Sequence, residues 1–163
     1  MTEAAARSER GVALVTGGAR RIGRAICLKL AQAGFDVAIH HHASGDDART
    51  LADEIAGLGR RACLLQADLT DEAKVRALVP AAADALGPVS VLVNNASVFE
   101  DDRVGGLTRD SWDLHIETNL RAPIVLAEAF AATWICSATW VTGCSTVNVT
   151  VSPKHGESTC TVR

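Results

Sequence analysis

The feature that most constrains this chain is a junction close to its start. Val12 to Thr16 is a short apolar run, Gly17-Gly18-Ala19-Arg20-Arg21-Ile22-Gly23 follows at once, and Arg21 to Ala33 then places Ile22, Ala25, Ile26, Leu28 and Leu30 near helical spacing. A run that enters glycines and leaves as a helix reads as a buried strand, a tight turn and a helix N-terminus in succession. Gly17 can take the positive φ of such a turn, Gly23 removes a side chain where helix and strand pack closely, and Gly34 is placed to end the helix. The helix start offers free N–H groups and a partial positive charge to a phosphate group. Arg20, Arg21 and Arg24 add three cations at the mouth of the turn.

The same alternation continues. Phe35 to His40 reads as a second strand, Asp46 to Leu58 as a helix ended by Gly59, and Ala62 to Gln66 as a third strand. Asp71 to Leu86 is a third helix and Val89 to Val93 a fourth strand. Ser111 to Phe130 reads as one long helix, with Leu114, Thr118, Ala122, Val125 and Ala129 along one stripe. Strand and helix in alternation imply parallel βαβ units with right-handed crossovers, hence an α/β, doubly wound (Rossmann-like) sheet. Glu100-Asp101-Asp102 and Gly105-Gly106 read as a mobile surface loop.

The end of the second strand bears on the ligand. A site selective for NAD places a carboxylate there to accept from the ribose 2′-OH. Here the residues are Ile39-His40-His41-His42-Ala43-Ser44, with no carboxylate before Asp46. Histidine, serine and a nearby arginine can donate to a 2′-phosphate, so NADP(H) is favoured over NAD. Adjacent strand residues point to opposite faces, so the three histidines do not converge on a metal, and none is expected.

Composition narrows the rest. The 16 basic and 19 acidic residues leave a net charge of −3, with no basic excess to suggest nucleic acid or a membrane surface. Five cysteines, an odd number without a C-x-x-C pair, argue against a disulfide framework. No run approaches the roughly 18 apolar residues of a membrane span, and Met1 to Arg10 lacks a signal-peptide core, so a cytoplasmic protein is expected. The text changes near residue 132: no leucine follows Leu126, and Thr133 to Arg163 is rich in Thr, Ser, Val and Cys. Residues 1–132 read as a dinucleotide-binding domain and 133–163 as an atypical tail, either a β-rich extension or a foreign reading frame, the latter preferred.

Several of these residues together resemble the short-chain dehydrogenase/reductase family. They are Thr16-Gly17-x-x-x-Arg21-Ile22-Gly23, Ala67-Asp68 after the third strand, Val93-Asn94-Asn95-Ala96-Ser97 after the fourth, and Asn119 within Thr118-Asn119-Leu120-Arg121-Ala122-Pro123. The likeness runs from about Val12 to Phe130 and is nearest to the pteridine-reductase-like members, given Arg21 in place of the middle glycine, His40-x-His42-x-Ser44, and Asn-Asn-Ala-Ser. It implies an NADPH-dependent reductase of a small carbonyl or pterin-like substrate, in which Gly17, Arg20, Arg21, Ile22 and Gly23 form the cofactor turn. His40, His42 and Ser44, with Arg21, would lie on its 2′-phosphate side. Asp68 would accept from the adenine amino group, Leu69 would offer a backbone N–H, and Asn94, Ala96 and Ser97 would line the cofactor. Asn119 would be the catalytic-site asparagine, holding its helix and a proton-relay water. Full-length relatives associate through the long helix, which leaves the oligomeric state of this chain open.

One departure stands out. The family's proton donor is the tyrosine of a Tyr-x-x-x-Lys pair, yet the sequence has no tyrosine, and Lys29, Lys74 and Lys154 fall in no such motif. Thr146 to Ser152 is reminiscent of a fifth strand, with Ser152 near the family's serine and Lys154 and His155 beyond it. The expectation is therefore a truncated or frame-shifted copy, incomplete on the C-terminal side of the sheet and without turnover. A non-catalytic nucleotide-binding or partner-binding module and a poorly folded fragment are the alternatives.

Overall fold

A computed structural model describes residues 10–100 and 105–135, and beyond them the backbone of four strands between 139 and 161. The first part contains β1 (Val12–Val15), α1 (Arg21–Gln32), β2 (Asp36–His41), α2 (Gly45–Gly57), β3 (Ala62–Gln66), α3 (Glu72–Leu86) and β4 (Val89–Val93). The four strands form a parallel sheet of order β3-β2-β1-β4. Each element sits within one or two residues of the position its hydrophobic period predicts.

The strands are apolar runs because helices cover both faces of the sheet. Leu14 and Ala38 face α3 and the helix after β4, in a core with Val75, Val79, Val125 and Leu126. Val15, Val37 and Ile39 face the other way and pack with Cys27, Ala48, Leu51 and Ile55 of α1 and α2. At the lower end of the sheet the buried Asp36 carboxylate accepts from the Arg61 side chain at 2.7 and 2.9 Å and from its amide at 3.0 Å. Arg61 also donates to Leu86 O, tying β2, β3 and α3 together away from the upper end. Because β2 and β4 flank β1, the winding direction reverses at β1, which opens a crevice at the carboxyl ends of the strands.

The expected long helix is not continuous. α4 (Arg109–Ile116) passes into a π-helical turn over Glu117–Arg121, and α5 (Ala122–Ile135) continues from it. The Ala122 amide reaches back to Glu117 O, one residue further than in an α-helix. Pro123 has no N–H to offer the Asn119 carbonyl, so the regular ladder is already interrupted here, and the wide turn accommodates the inserted residue. Thr118, Ala122 and Val125 of the predicted stripe are nonetheless buried.

Beyond α5 lie β5 (Thr139–Thr142) and β6 (Ser145–Asn148), an antiparallel pair, and β7 (Thr150–Lys154) and β8 (Glu157–Thr161), a second such pair. The suggested fifth parallel strand over Thr146 to Ser152 is thus divided between two hairpins, neither of which joins the main sheet. Among the described residues β4 is therefore a sheet edge. Residues 1–9, 101–104 and His155 lie outside the described residues, so the acidic loop and the N-terminal segment receive no structural account. Among the described residues no helix is long and apolar enough to cross a membrane.

Candidate functional site

The crevice above β1 and β4 is a cleft of about 610 Å³. Its floor is the turn from β1 to α1. Gly17 sits at φ +61, and a Cβ on Gly23 would lie 2.1 Å from Gly17 O, so only glycine fits there. No side chain caps the start of α1 and no acid stands in its first turn. The first-turn N–H groups, which have no intrahelical acceptor, are left for a ligand.

Two neighbouring turns hold this floor. Thr16 Oγ1 accepts from the Asn95 and Ala96 amides at 3.0 and 3.1 Å. The Asn95 side-chain amide returns hydrogen bonds to Thr16 O at 2.9 Å and Gly17 O at 3.2 Å. On the other side the Gly17 amide donates to His40 Nδ1 at 3.2 Å. An amide N–H can only donate, so the ring proton is on Nε2, which gives it to Ala67 O at 3.2 Å. Burial, opposed by the bond to Ala67 O, pushes His40 down to about 4. His40 borders the cleft, but both ring nitrogens are engaged by protein backbone. The next residue, His41, is buried with an Nδ1 that meets no protein partner.

The arginines divide into two groups. Arg20 Nε donates to Asp47 Oδ2 at 2.6 Å, and Arg24 donates to both Glu54 oxygens at 2.5 Å. Both acids belong to α2, so these cations join α1 to α2. The Arg21 side chain makes no hydrogen bond or ion pair among the described residues, and it is exposed at the cleft. It has φ +49, and no other non-glycine described here has a positive φ. A left-handed conformation costs an L-residue about 1–2 kcal/mol, and strain of this kind clusters at ligand-binding sites.

Across the cleft, Asp68 Oδ1 accepts from the Thr70 amide at 3.0 Å and hydroxyl at 2.8 Å. These bonds, backbone first, hold its carboxyl below the usual range. Oδ2 lies 3.9 Å from His42 Nε2 and has room for a further donor. Asp68 thus shapes its turn with one oxygen and presents the other. Leu69, Ala96 and Ser97 also border the cleft, as do Val98, Leu114 and Thr118. Ser44 does not; it stands at the start of α2 with its hydroxyl making no cap bond. Asn94 is also outside the lining, and its side chain donates to Pro123 O at 3.5 Å.

Asn119, projecting from the π turn, forms a reciprocal pair with the Val98 backbone. Its Oδ1 accepts from Val98 N at 2.8 Å and its Nδ2 donates to Val98 O at 2.7 Å. One turn earlier His115 Nε2 accepts from the Glu100 amide at 3.0 Å. These two side chains strap the segment after β4 onto the helix. Motif reading named Thr16 without assigning it this bracing role, and it placed Leu114 and Thr118 on a helix stripe without linking them to the cleft, although their i, i+4 spacing pairs them on one face.

The arrangement can hold an extended, phosphorylated molecule: uncapped amides and an unpaired arginine at one end, a half-free carboxylate beside them, and a small-residue wall toward β4. Comparison with known proteins agrees with the architecture. The family model for short chain dehydrogenase matches residues 11–155. A short-chain dehydrogenase/reductase from Cladobotryum sp, FrzI, is 39% identical over 117 residues, covering 72% of this chain and 45% of that protein. The 3-oxoacyl-[acyl-carrier-protein] reductase FabG of Staphylococcus aureus is 37% identical over 109 residues, covering 67% and 44%. Among solved structures, FolM alternative dihydrofolate reductase 1 from Brucella suis in complex with NADP is 48% identical with a TM-score of 0.71, covering 75% of this chain and 50% of that one. A short chain dehydrogenase from Burkholderia cenocepacia in complex with NADP is 42% identical with a TM-score of 0.74, covering 78% and 52%. The chain spans about half the length of these relatives. A parallel sheet wound in this order, the braced glycine turn and a family match over most of the sequence together place the chain in the short-chain dehydrogenase family.

Proposed function

We propose that the chain is the dinucleotide-binding part of a short-chain reductase and that its cleft takes NADP(H). The observation that carries this reading is Arg21: exposed at the cleft, unpaired among the described residues, and held in a strained backbone conformation. The residues fit such a group. Uncapped amides at the start of α1 suit a pyrophosphate, and Gly23 brings the backbone within reach. Arg21 and His42 suit the 2′-phosphate side, and Ser44, outside the cleft lining at the start of α2, would join them where the phosphate extends toward its uncapped hydroxyl. Asp68 Oδ2 suits an adenine amino group, with the Leu69 amide beside it. Ala96 and Ser97 would line the remainder, Asn94 would act from outside the lining through its bond to Pro123 O, and Arg20 and Ile22 would flank the turn. His40, Thr16 and Asn95 act through the turn they brace. The relatives solved with NADP support this choice of cofactor.

NADPH supplies hydride when bound to a reductase of this kind. Proton delivery is a separate matter, because none of the 163 residues is a tyrosine. The chain as given therefore binds cofactor without turning over substrate. A small carbonyl or pterin-like compound is the substrate class of the complete machinery, in keeping with the reductase named for the Brucella relative. Asn119 contributes by holding Val98 and the strap at the cleft wall. Residues 1–132 make up the binding domain, 133–163 form a tail rather than a second domain, and the setting is cytoplasmic.

Calorimetric titration tests the reading. NADP+ should bind with roughly micromolar affinity, and Arg21→Ala should weaken it about tenfold or more, the scale of a charge-assisted hydrogen bond, while NAD+ binding changes little. NADPH oxidation with carbonyl and pterin substrates should stay at background. Equal affinity for NADP+ and NAD+ in both proteins would refute the cofactor assignment, and steady turnover would refute the absence of catalysis.

A further inference from the structure

Arg20 stands beside Arg21 at the cleft, yet its charge is already engaged. Its Nε donates to Asp47 Oδ2 at 2.6 Å, with both side chains about half exposed. Asp47 lies in the first turn of α2, three residues after Ser44, whose hydroxyl makes no cap bond. The neighbouring acid, Asp46, pairs with Arg49 within α2 itself. Asp47 is thus the first-turn acid that reaches across to the glycine turn. Carboxylates are favoured at a helix N-terminus, so Asp47 sits stably at a place that would otherwise attract a phosphate.

We propose that Asp47 is a specificity-determining residue: by pairing with Arg20 it withholds a second cation from the 2′-phosphate side and limits the preference for a 2′-phosphorylated dinucleotide. This rests on the NADP(H) reading above. With Asp47 anionic, a dianionic phosphate meets Arg21 as its one unpaired arginine among the described cleft residues and must compete with a carboxylate for Arg20. With a neutral residue at 47, Arg20 is released, and the guanidinium fork can reach the phosphate. An exposed pair of this kind is weak in itself, so breaking it does not threaten the fold. Its effect lies in which anion Arg20 faces.

A double-mutant cycle in the whole chain tests this. NADP+ and NAD+ are titrated into the starting protein, Asp47→Asn, Asp47→Ser, Arg20→Ala and Asp47→Asn/Arg20→Ala at about 0.1 M salt, where exposed charges beyond about 10 Å are screened. Asp47→Asn and Asp47→Ser should each tighten NADP+ about fivefold and raise the ratio of NADP+ to NAD+ affinity by the same factor. In the Arg20→Ala background, Asp47→Asn should change NADP+ affinity less than twofold. Three results would overturn the proposal: no gain, an equal gain for NAD+, or a gain that persists without Arg20, which would mean plain repulsion by Asp47. Failure of the starting protein to bind NADP+ would instead remove the parent reading, and this one with it.

Discussion

His40 offers the sharpest link between the site and stability. Burial pushes it from the usual 6.5 down to about 4, with the charges of His41 and His42 as smaller contributions. A depressed value means that the unfolded chain binds the proton before the folded one does. The stability contribution is present above pH 6.5 and is lost as pH falls toward 4. Each pKa unit corresponds to about 1.4 kcal/mol, so roughly 2–3 kcal/mol should disappear between pH 7.5 and pH 4.5. Geometry explains why the proton is resisted: Nδ1 already accepts from the Gly17 amide, and a second N–H there would face a donor. Urea unfolding at the two pH values reads the loss as a fall in midpoint of about 1 M for an ordinary m-value. His40→Asn, which can still accept from Gly17 but does not titrate, should show a pH difference smaller by about 2 kcal/mol. A pH difference equal in both proteins would refute the argument, as would a nuclear magnetic resonance titration placing His40 near 6.5.

Two further substitutions probe the glycine turn. Arg21→Gly relieves a left-handed residue worth about 1–2 kcal/mol and adds about 0.5–1 kcal/mol of unfolded-state entropy. The thermal midpoint should therefore rise by about 2 °C while NADP+ affinity falls; a lower midpoint would show that φ +49 carries no strain. Gly23→Ala places a Cβ 2.1 Å from a backbone oxygen, so the turn must shift, at a cost of about 1–3 kcal/mol. The midpoint should drop by several degrees and NADP+ binding should be lost; retention of both would mean that the turn has slack.

How much of this was legible in the sequence follows from where each determinant lies. Strands β3 and β4 match their expected limits, Ala62 to Gln66 and Val89 to Val93, because each is a local apolar run beginning just after a glycine. The α1 start was legible for the same reason: strand, glycines and helical period are contiguous. The π turn was not. Its stripe has an ordinary helical look, and the bonds that reward the extra residue run from Asn119 to Val98, 21 positions away. The pairing of Arg20 was hidden in the same way, since Asp47 is 27 residues distant and reads on its own as a favourable first-turn acid. His40 was grouped with residues that face a ligand through the His40-x-His42-x-Ser44 resemblance, and a motif says nothing of whether the ring nitrogens are already used.

That last distinction orders the whole cleft. Its polar groups fall into those consumed by folding and those left over. Thr16, Asn95, His40, Asn119 and one oxygen of Asp68 spend their hydrogen bonds on backbone groups or on Thr70. They brace the turns and have little to give a ligand. Arg21, the first-turn amides of α1, His42 and the other oxygen of Asp68 remain. All but the last can donate a hydrogen bond, and Arg21 carries a full positive charge. A neutral ligand would leave the Arg21 guanidinium without a partner, whereas an anion supplies one, which is why the preference between NADP+ and NAD+ is the measurement on which the functional assignment turns.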